Sequence, residues 1–379
     1  MEYKTYKIAD LIDEIAMGPF GSNIKVDCFV DEGIPVLNGS NLDGFALSEK
    51  SFRYVTPEKA DSLKKANASR GDVVITHRGT LGQIAYIPQN SKHDRYVISQ
   101  SQFRVRCNEK ILPEYMVYYF HTALGQHKLL SNSSQVGVPA LARPSSTFQQ
   151  IEIEVPSVQE QRRVISIINA LQAKIDCNNK INDNLLQQAF ALFDDMFKGL
   201  RSSDDGKVGD HIVPRRGKSL LSKNAVDGDV PVVAGGLEPS TYHNTANTVP
   251  PVITISASGA NAGFVNLWSI PVWSSDSTFI DATMTDAVYF WFVLLKRRQQ
   301  EIYDAQTGSA QPHIYPQHIA DLPLGELPIS KIAEYQNLVS PFFATIGSNK
   351  SENARLAAIR DSLLPRLMSG AIDVSDINI

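Results

Sequence analysis

Residues 168–196 read INALQAKIDCNNKINDNLLQQAFALFDDM, and residues 339–367 read VSPFFATIGSNKSENARLAAIRDSLLPRL. In the first stretch Ile168, Leu171, Ile175, Asn178, Asn182, Leu185, Ala189, Leu192 and Met196 follow one another at alternating steps of three and four. The second repeats those steps with Val339, Phe342, Ile346, Asn349, Asn353, Leu356, Arg360, Leu363 and Leu367. A sustained 3-4 apolar spacing is the heptad of a coiled coil. From Gln159 to Lys198 it predicts a rod of about 60 Å at 1.5 Å per residue. Each rod carries asparagine at two consecutive seam positions. Buried there, asparagine costs stability but sets register; the alternative is an exposed position on an ordinary helix.

The two stretches belong to a longer duplication with an offset of 171 residues. Tyr118-Tyr119-Phe120 falls on Tyr289-Phe290-Trp291, Gln135-Val136-Gly137 on Gln306-Thr307-Gly308, and Ile151 and Ile153 on Leu322 and Leu324. Upstream the match resumes after small insertions. Gly33-Ile34-Pro35-Val36 resembles Asp229-Val230-Pro231-Val232, and Val73 to Gly79 resembles Ile253 to Gly259. Ser101-Gln102-Phe103 resembles Ser277-Thr278-Phe279. Such a period is too long for a solenoid unit and predicts two copies of one domain, each with a trailing helix. Within each copy, GDVVITHRGTLGQIAYIP and PPVITISASGANAGFVNLW are β-branched runs broken by glycine turns. Short helical pieces are expected at Pro57 to Ala66 and Pro113 to Leu130, and a polar linker from Gly199 through Gly206. The expected fold class is α/β (α+β), with two similar globular domains alternating with two long helices.

Composition narrows the function. Hydrophobic residues form 43% of the 379-residue chain and charged residues 20%, enough to bury a core and to argue against disorder. No apolar run reaches the length of a membrane span; the longest, Ala287 to Leu295, stops at Lys296-Arg297-Arg298. Acids among the first residues argue against a signal peptide. Cys28, Cys107 and Cys177 are too scattered for a disulfide framework or a zinc site, so a reducing cytoplasm is the expected compartment. The net charge of −4 argues against one large basic face. The first 150 residues are slightly basic, whereas 201–327 are acidic, so nucleic-acid binding would rest on a few placed cations or on a basic partner.

Catalytic signatures are missing. Pro250-Pro251 lacks the flanks of a methyltransferase base-gripping loop, and Gly217-Lys218-Ser219 lacks the glycine that would open a phosphate loop, Ile212 standing there instead. Asp205-Gly206-Lys207 imitates a nuclease motif inside a linker. There is no GxSxG or HExxH, and no metal is expected. His121 and His127 are expected to be packing or surface residues.

What remains are polar, glycine-rich turns in matched sets. In the first half the candidates are Ser22, Asn23, Lys25, Asn38, Asn41, His77, Arg78, Thr80, Gln100, Gln102, Ser134 and Gln135. In the second they are Arg215, Arg216, Lys218, Ser256, Ser258, Asn261, Ser275, Gln306, Thr307 and Gln311. Arginine hydrogen-bonds guanine through two donors, Asn and Gln match adenine, and Ser, Thr, Lys and backbone amides hold phosphate. Such clusters are also what ordinary turns are made of. Three classes stay open on this reading: a DNA recognition subunit, a non-catalytic protein-interaction scaffold, and a self-contained DNA-modifying enzyme.

In Gly18-Pro19-Phe20-Gly21-Ser22, Gly33-Ile34-Pro35-Val36, Gly71 to Gly82, Ile153 to Ile165 and Leu363 to Gly370, the chain resembles the specificity subunits of type I restriction–modification enzymes. The resemblance covers essentially the whole chain. It implies a first target recognition domain over 1–156, a first long conserved helix over 157–200, a second target recognition domain over 201–327, and a second long helix with its tail over 328–379. The helices would pair as an antiparallel coiled coil about a pseudo-twofold axis and space two DNA half-sites. Double-stranded DNA and two DNA adenine methyltransferase (modification) subunits are the implied partners, with restriction subunits joining them. S-adenosylmethionine, ATP and Mg would belong to those partners, with no cofactor and no catalytic residue in this chain. The second half departs from the pattern: it opens with VPRRGKSL, and Ser258 stands where the first half has Arg78. The isolated chain is therefore expected to bind DNA weakly.

Overall fold

The computed structural model describes residues 2–134, 137–198, 200, 206–308 and 311–375, without the side chains of Ser22 and Ser222. Gln135 and most of the expected linker lie outside the described residues. The chain divides into two compact units, residues 1–173 with 356–379, and residues 174–355. Each holds one globular half and a part of both long helices.

Seven strands recur in each unit. In the first they are β1 (Ile12–Met17), β2 (Ile34–Val36), β3 (Arg53–Val55), β4 (Asp72–Thr76), β5 (Ile84–Tyr86), β6 (Arg95–Val97) and β7 (Gln102–Cys107), followed by helix α1 (Pro113–His121) and the long helix α2 (Val158–Met196). In the second they are β8 (Arg215–Arg216), β9 (Val230–Val233), β10 (Thr241–His243), β11 (Val252–Ser256), β12 (Val265–Trp268), β13 (Trp273–Ser274) and β14 (Ser277–Asp281), followed by α3 (Val288–Arg297) and the long helix α4 (Ile329–Met368). One antiparallel four-stranded sheet runs β1-β7-β4-β5, its counterpart β8-β14-β11-β12. A second sheet has β2 parallel to β6 and antiparallel to β3; its counterpart pairs β9 with β13 and β10 in the same senses. Corresponding strands thus make the same pairings in both units.

The register corrects one alignment. Gln102 pairs with Thr76, and Ser277 pairs with Ser256. Ser277 therefore corresponds to Gln102 rather than to Ser101, and Asp276 takes the place of Ser101. A one-residue slip exchanges the two faces of a strand, so the difference matters for every side chain on it.

Burial explains these elements. β4 and β11 are buried along their whole length, as their unbroken β-branched runs require. Val73 and Ile75 face Tyr115, Met116 and Phe120 of α1, together with Val164 and Ile168 of α2 and Leu364, Leu367 and Met368 of α4. Val74 joins the separate core under the second sheet. In the other unit Ile253, Ile255 and Ile280 meet Phe290, Val293 and Leu294 of α3, with Ala189 and Phe193 of α2 and Tyr335, Val339 and Phe343 of α4. Each full side chain so buried contributes roughly 1.5–3 kcal/mol.

α2 starts at a capping box: Ser157 Oγ accepts from Glu160 N–H at 3.3 Å, and Ser157 N–H donates to Glu160 Oε2 at 3.0 Å. Within the second unit the long helices run antiparallel. Asn178 bonds Asn353 and Asn182 bonds Asn349, one partner advancing as the other retreats. Within the first, Arg360 Nη1 donates to Gln172 Oε1 at 2.7 Å. Leu171, Ile175, Leu185, Leu192, Phe342, Leu356 and Leu363 are half-buried along the seam, and Ile346 is buried. No helix among the described residues is long and apolar enough to cross a membrane.

Candidate nucleic-acid interface

The candidate loops of each unit meet at one end of its four-stranded sheet. In the first unit Gly18 N–H donates to Gln102 O at 2.8 Å, His77 N–H to Ser101 O at 2.8 Å, Gly79 N–H to Pro139 O at 2.9 Å, and Leu141 N–H to His77 O at 2.9 Å. A Cβ on Gly18 would lie 1.9 Å from Ser99 O, so only glycine permits this approach of the loop after β1 to the loop before β7. The resulting rim exposes Asn23, Lys25, Arg78, Thr80, Gln100 and Ser134, with Phe20 83% exposed beside them. Arg78 has no hydrogen-bond or ion-pair partner among the described residues. His77 is half-buried, its Nε2 3.2 Å from Gln100 O. Burial, with the Arg78 charge acting in the same direction, holds its imidazole below the ordinary value of 6.5.

The second unit repeats the construction. Gly217 N–H donates to Ser277 O at 2.9 Å, Ala257 N–H to Asp276 O at 3.1 Å, Gly259 N–H to Pro312 O at 3.1 Å, and Ile314 N–H to Ala257 O at 2.9 Å. Arg78 bridges Ala140 in one unit, and Ser258 bridges His313 in the other. The following glycines, Gly79 at φ +90° and Gly259 at φ +82°, turn both loops the same way. Arg215, Arg216, Lys218, Thr307 and Gln311 are exposed here, and Ser258, Asn261 and Gln306 half-buried. Gln306 Nε2 donates to Ala262 O at 2.7 Å, much as Gln126 Nε2 donates to Gly82 O at 2.9 Å in the first unit.

Four of the candidates are scaffold rather than display. Asn41 is fully buried: its Oδ1 accepts from Asn38 N–H, and its Nδ2 donates to Ser48 O and Lys50 O, each at 2.9 Å. Its amide oxygen and both amide hydrogens are engaged inside the loop. Gln102 is buried with its Oε1 accepting from Ser99 N–H at 2.9 Å. Ser275 is buried and accepts from Leu220 N–H at 3.0 Å. Ser256 is buried with its Oγ 3.4 Å from Ala234 O. Asn38 is half-buried, its Oδ1 accepting from Ser40 N–H at 2.9 Å. The loop it belongs to is tied to the rim through Gln83, whose Nε2 donates to Gly39 O at 3.0 Å and to Asp43 Oδ1 at 2.9 Å, while Thr76 Oγ1 donates to its Oε1 at 3.3 Å.

Sequence reasoning missed Asp276. It accepts from Arg216 Nη2 at 2.6 Å through Oδ1 and from the Ser258 hydroxyl through Oδ2. The available signal was paired: the second half has no arginine at position 258 but has Arg216 and Asp276 on the neighbouring segments.

No group of three or more metal-ligating side chains suited to an ion occurs among the described residues. Residues 2–187 match the family model described as type I restriction modification DNA specificity domain. Residues 2–187 belong to this family. The type I restriction enzyme MjaIX specificity subunit of Methanocaldococcus jannaschii is 20% identical over 430 aligned residues, spanning 99% of this chain and 95% of that one. The crystal structure of the type I restriction–modification S subunit from M. genitalium superposes with a TM-score of 0.58 at 16% identity, covering 97% of this chain and 96% of that one. The chain therefore shares that fold along nearly its entire length. The HsdS subunit from Thermoanaerobacter tengcongensis matches at 14% identity with a TM-score of 0.39, over 98% and 97% of the two chains. Specificity subunits are non-catalytic, the catalytic activities of the system lying in partner subunits.

Proposed function

We propose that the two sheet ends each contact one half of a bipartite target in double-stranded DNA. On this reading residues 1–156 and 201–327 are the two target recognition domains, and the paired helices in 157–200 and 328–379 set the distance between the half-sites. Two DNA adenine methyltransferase subunits would use this chain as their guide, with restriction subunits joining the assembly in the cytoplasm. S-adenosylmethionine, ATP and Mg would be bound by those partners. The observation that carries the proposal is the repeated rim. Two units with the same strand pairings gather their exposed Asn, Gln, Lys, Arg and Thr side chains at the same sheet end. These are residue types that bond base edges and phosphates. Two unlike rims on one chain suit two unrelated half-sites, as paired modules suit a duplex at fixed spacing. Few cations are on offer, so much of the phosphate contact would come from the methyltransferase subunits.

The test is a map of methylated adenines in the host genome with the native gene, without it, and with Arg78→Ala and Gln100→Ala. The expected result is a methylated motif that disappears with the gene and changes in one half with the substitutions. An unchanged motif together with normal assembly would favour a scaffold that organises partners without contacting bases.

A further inference from the structure

Three positions frame the same point on both rims. In the first unit they hold Met17, Arg78 and Ser101; in the second, Arg216, Ser258 and Asp276. The equivalence is fixed by backbone pairing. Met17 lies opposite Phe103 as Arg216 lies opposite Thr278. Arg78 and Ser258 make the corresponding bridges, and Ser101 and Asp276 supply the carbonyls that accept from His77 and Ala257. Each frame contains one arginine, delivered by the loop after β4 in the first unit and by β8 in the second.

The second arginine is also held. Asp276 receives Arg216 Nη2 on one oxygen and the Ser258 hydroxyl on the other, so strand β8 and the loop after β11 are both tied to the carboxylate of the turn before β14. Side chains of Arg216 and Asp276 are 44% and 38% exposed, and Nη2 is the guanidinium nitrogen that Asp276 engages. A carboxylate on a DNA-facing rim would be repelled by phosphates unless a cation covers it, and Arg216 does so. Its pairing also removes rotamer freedom that an arginine would otherwise lose on binding.

We infer that Arg216 is the specificity-determining residue for a guanine in the half-site of the second domain, and that Asp276, buttressed by Ser258, is its positioning residue. The inference rests on the proposed function, in which these rims face DNA. A guanidinium fixed in this way presents two parallel donors to guanine O6 and N7, and one good bidentate pair discriminates against the wrong base by roughly 5- to 150-fold.

The experiment introduces Arg216→Ala, Asp276→Ala, the double substitution and Arg78→Ala into the host gene and determines the methylated motif of each strain by genome-wide sequencing. Arg216→Ala and Asp276→Ala should relax the same guanine position, raising methylation of mismatched sites relative to cognate ones by roughly 5-fold or more. The double substitution should relax it no further than Arg216→Ala, and the other half-site should stay intact. Should Arg216→Ala abolish methylation, Arg216→Lys keeps the charge, loses the fork and must relax that position. A uniform fall at all sites with unchanged base preference would overturn the inference, because a merely structural salt bridge acts that way. If Arg78→Ala alters the first half-site while the Arg216 and Asp276 variants alter nothing, the inference fails and the proposed function stands. If none of the variants alters the motif while methylation persists, both fail.

Discussion

Asn178 Nδ2 donates to Asn353 Oδ1 at 2.8 Å, joining the two long helices through a side chain that is almost fully buried. The same Nδ2 donates to Glu352 Oε2 at 2.7 Å, Asn353 Nδ2 donates to Asn179 Oδ1 at 2.8 Å, and Asn349 Nδ2 donates to Asn182 Oδ1 at 2.8 Å. Asn178 Oδ1 is buried without a partner among the described residues. These asparagines form a polar layer in a seam whose other positions are mostly apolar. Any slide of one helix along the other would bury their amides unpaired, which is how such a layer holds register.

Opposite signs are expected from the two ends of this bond. Asn353→Ala removes an acceptor from a buried amide and should cost about 1 kcal/mol. Asn178→Leu removes the amide whose oxygen is unpartnered and puts an apolar side chain at that buried seam position, so it should raise the thermal midpoint while loosening register. Thermal unfolding of both variants decides; equal losses from both would refute the account.

A charge in the seam is a harsher test. Leu185 packs against the core that joins α2, α3 and α4. Leu185→Asp places a carboxylate there without a compensating donor. We expect a lower unfolding midpoint and loss of helix-dependent assembly, followed by denaturation and by co-purification of partner subunits. A variant as stable and as competent as the native chain would speak against the seam.

The spacer role of the helix pair is tested by length. Inserting one heptad at matched positions in α2 and α4 adds about 10 Å. The preferred gap between half-sites should grow by about three base pairs, at 3.4 Å each. Genome methylation maps of the variant measure this, and an unchanged gap would rule out the helices as ruler.

The first unit carries a buried charge cluster with a pH signature. Arg104 is 4% exposed and bonds Glu14 Oε1 at 2.7 Å, while the fully buried Asp72 receives Arg106 Nε at 3.0 Å. Asp72 Oδ2 also lies 3.5 Å from Arg104 Nη1, so Asp72→Ala leaves Arg104 short of a counter-charge and should cost about 3–5 kcal/mol. Hydrogen bonding from Arg104, then the charges of Arg104 and Arg106, hold the Glu14 carboxyl below its ordinary 4.5 against the opposing effect of burial. The folded state thus takes up that proton less readily than the unfolded one. The stabilisation is complete above pH 4.5 and is lost as the pH falls through the lower folded value. The gap in urea midpoint between the native chain and Glu14→Gln should be smaller at pH 4 than at pH 7; a constant gap would contradict the assignment.

Much of the architecture was legible because periodicity reports burial. The seam of α2 and α4 follows from steps of three and four, and the central strands Asp72–Thr76 and Val252–Ser256 from β-branched runs. The candidate rim was legible only by segment. Asn41 and Arg78 both sit in glycine-flanked polar turns, yet one is spent on Ser48 and Lys50 carbonyls and the other is exposed without a partner among the described residues. Asn, Ser and Gln serve as loop staples and as displayed donors with the same composition, so local sequence cannot separate the roles.

The chain alone determined that one module occurs twice, each copy followed by a heptad-bearing helix, because these properties arise from residues near one another and are written in spacing. Only the tertiary structure decided which polar side chains are displayed, that Ser277 rather than Thr278 takes the place of Gln102, and that Asp276 unites Arg216 with Ser258. Those facts depend on register between strands far apart in sequence. Cross-strand hydrogen bonds and buried surface select that register, and a shift of one residue would send every side chain to the opposite face.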